Sequence, residues 1–258
     1  MVGTEKVTSA DGTSIAFERT GSGPAIVLVD AAGCCRGVGP TPALVPELAG
    51  RFTVVAYDRR GRGESTDTLP YAVAREVEDL RAVIDAVGGS AFVYGFSSGG
   101  VLALAAARSG LPVRRMVLLE PPITGEPPGD DPGLKAEITA LVEAGRRGDA
   151  VEHFHRGIGV PDELVAGLRQ SPAWPVMAAM AHTLVYDLTI TPSLTTADLA
   201  GITTPTLVVD SESSDQRLRT WARDTAAALP GGTHLSLPGE WHGVAAADLA
   251  AAITDFCA

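Results

Sequence analysis

Apolar and polar positions along the chain follow two rhythms. Short continuous apolar runs recur, and between them lie longer segments whose apolar residues return every three or four positions. The runs AIVLVD (Ala25 to Asp30), FTVVAYD, AFVY, RRMVLLE and PTLVVD have the length and continuity of strands buried on both faces, which predicts a mostly parallel sheet covered by helices. Two earlier segments, EKVTSA and TSIAFERT, flank Asp11-Gly12 and predict a hairpin. The clearest helix places Val73, Val77, Leu80, Ile84 and Val87 on one face, with Arg75, Glu78, Asp79 and Arg81 outside. Gly88-Gly89 then ends it. Further helices are expected at VLALAAARSG, QRLRTWARDTAAAL and AAADLAAAITDFC, with a last strand at THLSLP.

The rhythm breaks once. From about Thr124 to Thr204 there are helical patterns (LKAEITALVEAGRRGDAVEHFHR, PDELVAGLRQ, PVMAAMAHTLVYDL) and no strand candidate. The predicted architecture is an α/β sheet domain made of residues 1–122 and 205–258, interrupted by a helical insertion over 123–204.

Composition narrows the function classes. The 258 residues suffice for one large α/β domain or two modest ones. A formal net charge of −11 argues against nucleic-acid and anionic-membrane partners, which need concentrated Lys and Arg. No run approaches the ~18 apolar residues of a membrane span, and the opening MVGTEKVTSADG lacks the basic-then-apolar order of a signal peptide. Three cysteines, two of them adjacent (Cys34, Cys35) and one near the end (Cys257), suggest no disulfide framework. A reducing cytoplasm is the expected setting.

Candidate chemistry centres on YGFSSGG, Tyr94 to Gly100. Gly95-Phe96-Ser97-Ser98-Gly99 fits G-x-S-x-G between a predicted strand and a predicted helix, the context that this motif requires. A nucleophile raised on a sharp strand-to-helix turn needs small neighbours, because backbone segments crowd there. That makes Ser97 the reactive serine. The side chain of Ser98 would point elsewhere, while its backbone N–H, at a helix N-terminus, would face an oxyanion.

A serine needs a base. Of the five histidines, His153, His155 and His182 lie in the insertion and His234 in a predicted strand, whereas His242 follows the last strand in PGEWHG. A loop at that end of the sheet lets an imidazole reach the serine hydroxyl.

With these residues in place the chain resembles the α/β-hydrolase superfamily, nearly end to end. The matching stretches are YDRRGRGES, GFSSGG, EPP, PTLVVD and PGEWHG. The resemblance implies an eight-stranded, mostly parallel sheet flanked by helices, with the insertion as a cap over the active site. It implies Ser97 as nucleophile and His242 as general base, without cofactor or metal. Where family members often carry His-Gly after the third strand, this chain reads Asp30-Ala31-Ala32-Gly33-Cys34-Cys35. The Ala32 N–H would complete the oxyanion hole, and Asp30 is expected to hydrogen-bond the loop to itself.

The acid has two candidates. The family usually carries Asp a few residues beyond the seventh strand, and here DSESSDQ places Ser214 at the expected position, with Asp215 one further on and Asp210 and Glu212 less well placed. Glu120, in LLEPP, is the other carboxylate able to reach the histidine. Counting along the chain favours Asp215 over Glu120. The implied activity is a serine hydrolase acting on a small, fairly apolar ester, lactone or thioester. Two alternatives stand beside it: a non-hydrolytic biosynthetic enzyme (cyclase, isomerase or acyl transfer) on the same fold, and a ligand-binding protein with a relict pocket.

The remaining features have simpler expectations. His153 and His155 read as a solvated helix face rather than a metal pair. Arg59, Arg60 and Arg62 read as loop anchors. Cys34 and Cys35 could line the pocket mouth or be small buried residues. Trp174, Met177, Met180, Tyr186 and Trp241 suit either an acyl pocket or ordinary cap packing.

Overall fold

A computed structural model describes residues 3–125 and 133–258; the part of the insertion over 126–132 lies outside the described residues. Eight strands form one sheet. In chain order they are β1 (Glu5–Thr8), β2 (Ser14–Thr20), β3 (Ala25–Val29), β4 (Thr53–Tyr57), β5 (Ala91–Phe96), β6 (Val113–Leu119), β7 (Thr206–Ser211) and β8 (Gly232–Leu237). Their spatial order is β1-β2-β4-β3-β5-β6-β7-β8. β1 pairs antiparallel with β2 and β2 with β4; every other pairing is parallel.

The continuous apolar runs divide by the strand period of two. Val27, Val29, Val55, Val93 and Leu118 enter the core on one face of the sheet. Ile26, Leu28, Val54, Phe92, Tyr94 and Leu119 enter the core on the other. Helices cover both faces. α1 (Thr41–Leu48) is the first in the chain. Next come α2 (Val73–Ala86) and α3 (Ser98–Arg108), which share the first core. The insertion between β6 and β7 holds α4 (Gly133–Glu143), α5 (Arg147–Gly157), α6 (Asp162–Gln170), α7 (Trp174–Ala179) and α8 (Leu184–Ile190). α9 (Gln216–Ala228) returns to the first face, and α10 (Ala246–Cys257) joins α1 on the second. The inserted helices have a core of their own around Ile138, Val151, Phe154, Met177 and Leu184.

Two local readings change. α1 is not legible as an amphipathic pattern, because Pro42 and Pro46 break up a segment of eight residues. The outer face predicted for α2 is also incomplete, since Asp79 is buried and Arg60 grips it through Nε and Nη2 at 2.7 and 2.8 Å. Glu76, one turn earlier, takes Arg59 in the same two-point way at 2.7 and 2.8 Å. A charge on the inner side of a helix is tolerable when a rigid guanidinium meets both carboxylate oxygens.

The strand order matters for function. The chain runs from β4 past β3 to β5, so its direction across the sheet reverses between the neighbours β3 and β5. The loops leaving such strands diverge to opposite faces and open a crevice at their carboxyl ends. Asp30 to Cys35 leave β3 there, and Ser97 leaves β5 there.

Asp79→Ala should lower the unfolding free energy by about 3 kcal/mol, because it removes the two-point carboxylate partner of a buried guanidinium and leaves it Asp11 alone as counter-charge. Equilibrium urea unfolding measures it, and a change under about 1 kcal/mol would contradict the role assigned to the pair.

Candidate active site

Ser97 occupies the join between β5 and α3. Its N–H donates to Leu119 O at 2.9 Å, extending the β5–β6 ladder, while its carbonyl accepts from Gly100 N at 2.8 Å, opening the helix. One residue serving both elements must reverse the chain sharply, and Ser97 has φ 51° and ψ −120°. The glycines of the motif answer to crowding. A Cβ on Gly95 would lie 2.7 Å from Gly100 Cα, and one on Gly99 would lie 2.2 Å from Val29 O. Both distances are shorter than atoms tolerate.

His242 sits in the turn of a small hairpin, β9 (Gly239–Glu240) with β10 (Gly243–Val244). Ser214 Oγ accepts from the His242 N–H at 2.9 Å, and Ser211 Oγ donates to Glu240 O at 2.6 Å. The ring stands 4.8 Å from Phe96 and 5.3 Å from Trp241, centroid to centroid. Its Nδ1 lies 2.6 Å from Glu120 Oε2. Glu120 is fully buried, and its other oxygen accepts from Ser211 N at 2.8 Å.

Asp215, the carboxylate favoured by counting, is elsewhere engaged. It caps α9, accepting from Leu218 N at 3.0 Å, and its second oxygen faces Trp241 Nε1 at 3.4 Å. Helix capping favours Asp immediately before the first turn, and that local demand places it. Asp210 meets His234, at 2.9 Å, rather than His242.

Among the described residues, the non-glycine positions with positive φ are Ser97 (51°), Glu120 (45°) and His242 (54°). Each such conformation costs on the order of 1–3 kcal/mol and gathers where a site imposes it. Here three of them converge from the ends of β5 and β6 and from the turn after β8.

Ser97 and His242 line a cavity of about 520 Å³ with Ala31, Ala32, Cys34 and Trp241 below and residues of α5 and α6 above. Its walls are largely apolar: Phe96, Phe154, Ile158, Val160 and Leu168. As the first residue of α3, Ser98 has an N–H without an intrahelical acceptor. Its hydroxyl turns away and donates to Asp187 Oδ1 at 2.8 Å.

The loop after β3 is held from outside. Arg62 Nη1 donates to the carbonyls of Ala31 and Cys34, at 2.6 and 3.1 Å, on either side of Ala32. Its Nη2 reaches Asp187 Oδ2 at 2.6 Å, and Arg59 Nη1 reaches Asp187 Oδ1 at 2.8 Å. The three arginines read as loop anchors are thus 0–1 % exposed. Burial opposes the charge on Asp187, yet Arg62 and Arg59 outweigh it and hold the carboxyl below its usual range. The sequence marks Asp187 as a lone carboxylate inside the apolar helical stretch TLVYDLTI.

Asp30 does not bond within its own loop. Its carboxylate accepts from the Thr41 hydroxyl at the start of α1, and its carbonyl accepts from Arg59 Nη1 at 3.1 Å. The cysteines divide. Cys34 lines the cavity, Cys35 packs into the core of the insertion, and burial pushes both thiols up, away from the thiolate. Of the five large apolar residues considered for an acyl pocket, Trp241 alone lines the cavity. Met177 and Met180 belong to the insertion's core, Tyr186 stacks on Tyr71 at 3.9 Å, and Trp174 lies under Arg169.

A model of the alpha/beta hydrolase family matches residues 22–252. The chain belongs to that family. Among solved structures this family member is similar to an alpha/beta hydrolase from Sphaerobacter thermophilus, with 46% identity, 98% of this chain and 100% of that one covered, and a TM-score of 0.92. It also resembles a thermophilic esterase from Thermogutta terrifontis (23% identity, 99% and 98% covered, TM-score 0.75) and the enol-lactonase from Burkholderia xenovorans (22%, 98% and 99%, 0.74). These last two likenesses are of fold. In this hydrolase-family chain the eight-stranded, mostly parallel sheet flanked by helices follows the expected plan.

Burial raises the Asp30 carboxyl to about 7 despite the bond from Thr41, against about 3.9 in an unfolded chain. The folded state therefore binds this proton more tightly than the unfolded one, and stability falls as pH rises through that window. Asp30→Asn removes the loss. Relative to the wild type it should gain up to about 4 kcal/mol between about pH 4 and about pH 8, measured by denaturant unfolding across pH. A pH-independent difference would contradict it.

Proposed function

We propose that the protein is a serine hydrolase that cleaves a small, fairly apolar carboxylic ester, lactone or thioester through an acyl-enzyme on Ser97. The observation that carries this reading is the 2.6 Å contact between Glu120 Oε2 and His242 Nδ1, beside a serine in a nucleophile turn. A carboxylate on Nδ1 keeps the proton there, which leaves Nε2 as the basic nitrogen for the serine side.

The steps follow from the groups present. Ser97 Oγ attacks the carbonyl carbon as His242 Nε2 takes its proton. The N–H groups of Ser98 and Ala32 receive the charge that develops on the carbonyl oxygen. Collapse of the tetrahedral adduct breaks the bond to the leaving alcohol or thiol, which takes the proton from His242. Water, deprotonated by the same nitrogen, then attacks the acyl carbon and frees the acid and Ser97. Glu120 holds the imidazolium throughout without accepting its proton. The apolar lining suits a short acyl chain and excludes water around the adduct, which strengthens each polar contact to it.

Both alternatives can be separated from this reading. A fluorophosphonate probe should label the wild type, and Ser97→Ala should abolish labelling; unchanged labelling would sink the proposal. With a para-nitrophenyl acyl ester turned over in heavy-oxygen water, the label should enter the product carboxylate, whereas an acyl transferase or isomerase would leave it out.

Glu120→Gln should lower kcat about a thousandfold or more, because the amide can present its N–H to Nδ1 and reverse the tautomer. Asp215→Asn should leave kcat within about threefold and cost under about 1 kcal/mol of stability, since Asn caps a helix nearly as well. Steady-state kinetics on the same ester read both, and a larger loss in Asp215→Asn than in Glu120→Gln would reverse the assignment of the acid.

A further inference from the structure

His155 was expected on a solvated face of the insertion, but it lines the same cavity as Ser97 and His242. Its neighbour in the sequence pattern, His153, does lie outward and meets Glu137 at 2.5 Å. The two rings therefore do different things.

The tautomer of His155 is set by the helix that carries it. Nδ1 lies 2.7 Å from Val151 O, one turn back in α5. A carbonyl can only accept, so Nδ1 carries the hydrogen. In the neutral ring Nε2 is then an acceptor and nothing else. Burial, which outweighs the help from Val151 O, holds His155 below the usual histidine range, and the neutral form follows. Among the described residues no protein group hydrogen-bonds Nε2. The Cε1–Nε2 edge faces the loop after β3: a Cβ on Gly33 would lie 3.8 Å from Cε1 and 4.0 Å from Nε2. Gly33 follows Ala32, so this free acceptor lies beside the loop that carries one of the proposed oxyanion donors.

The rest of the cavity offers little else that is polar. Apart from Ser97 and His242, its lining includes Cys34, whose burial keeps it a thiol, Ser171, and the exposed Glu163 on α6. An imidazole acceptor and a carboxylate favour a substrate that brings a donor and disfavour one that brings a second anion. An unpaired acceptor in an apolar wall loses its bond to water whenever an unsubstituted chain fills the cavity.

We infer that His155 is a specificity-determining residue, whose Nε2 accepts a hydrogen bond from a hydroxyl or N–H on the acyl part of the substrate. The substrate class narrows accordingly to hydroxy- or amino-substituted acyl esters, in preference to unsubstituted chains and to half-esters of dicarboxylic acids. The inference rests on the serine-hydrolase reading for its acyl orientation.

The test compares para-nitrophenyl esters of alpha- and beta-hydroxybutyric acid with the butyrate ester and the succinate half-ester. In the wild type the better hydroxy ester should exceed butyrate in kcat/KM by about tenfold or more, the size of one well-made hydrogen bond. The succinate half-ester should fall below butyrate. His155→Phe, which keeps the ring and removes the acceptor, should bring the hydroxy-to-butyrate ratio to within about twofold of one, and His155→Gln, which restores an acceptor, should recover part of it. A ratio near one in the wild type, or a ratio unchanged in His155→Phe, overturns the inference. Calorimetric binding of beta-hydroxybutyramide against butyramide to the Ser97→Ala protein makes the same comparison without turnover. If the serine reading fails and this one holds, the binding preference persists without fluorophosphonate labelling. If this one fails alone, labelling persists and the preference is absent.

Discussion

The carboxylate of Asp187 is the contact on which the rest of the site depends. It comes from α8 in the insertion, yet its partners all belong to the sheet domain: Arg59, Arg62 and the hydroxyl of Ser98. Arg59 is also neutralised by Glu76, so two buried guanidinium groups face two buried carboxylates. Removing charges from water costs several kcal/mol per ion, and only near-ideal geometry offsets it. Displacing the insertion would leave Arg62 without its carboxylate and Arg59 with Glu76 alone. The insertion and the sheet domain are therefore held together by charge balance as well as by apolar packing. The same arginine that reaches Asp187 also grips the carbonyls flanking Ala32, and the serine that reaches Asp187 presents the other proposed oxyanion donor. One carboxylate thus fixes both sides of the pocket in which charge would develop.

Backbone strain is concentrated in the same place, and the sheet supplies what holds it. Ser97 and Glu120 each donate an N–H to the neighbouring strand's ladder one residue after their own strands end, to Leu119 O and Val209 O. The ladder aligns the backbone on one side, while α3 in one case and Pro121-Pro122 in the other bend it on the next. A left-handed conformation is the result of those two demands. His242 reaches the same conformation by a different route, a hairpin turn tied down by Ser211 and Ser214. The serines of DSESSDQ therefore support the histidine's backbone, and the carboxylate comes from the next strand inward. The longer side chain of glutamate spans the difference. One strand end, through Ser211, holds both Glu120 and the hairpin that carries His242.

Much of this was legible in the sequence. Continuous apolar runs of strand length identify the parallel sheet, because both of its faces are covered and every residue of a strand meets apolar neighbours. The turn at Ser97 is equally local: its small residues are demanded by backbone atoms within a few positions and one adjacent strand. That the described residues of the insertion form helices and no sheet strand follows from periodicity as well. Each of these depends on neighbours close in the chain, so the chain records them.

What the sequence by itself determined, then, was the mostly parallel sheet with its flanking helices and the sharp turn that carries Ser97. Only the tertiary structure decided which charges meet. Asp79 reads as an outer residue of α2 and is buried because Arg60 crosses it; Asp215 reads as the acid and is taken by the helix that it caps. Glu120 and His242 are far apart in the chain, and their contact exists because β6 and the turn after β8 end at one edge of the crevice. His155 reads as a surface residue until α5 is laid over Ser97. The physical reason is the same in every case. Hydrophobic period reports which side of an element is dry, whereas a polar pair needs two side chains to arrive at one point, and that depends on how whole elements cross.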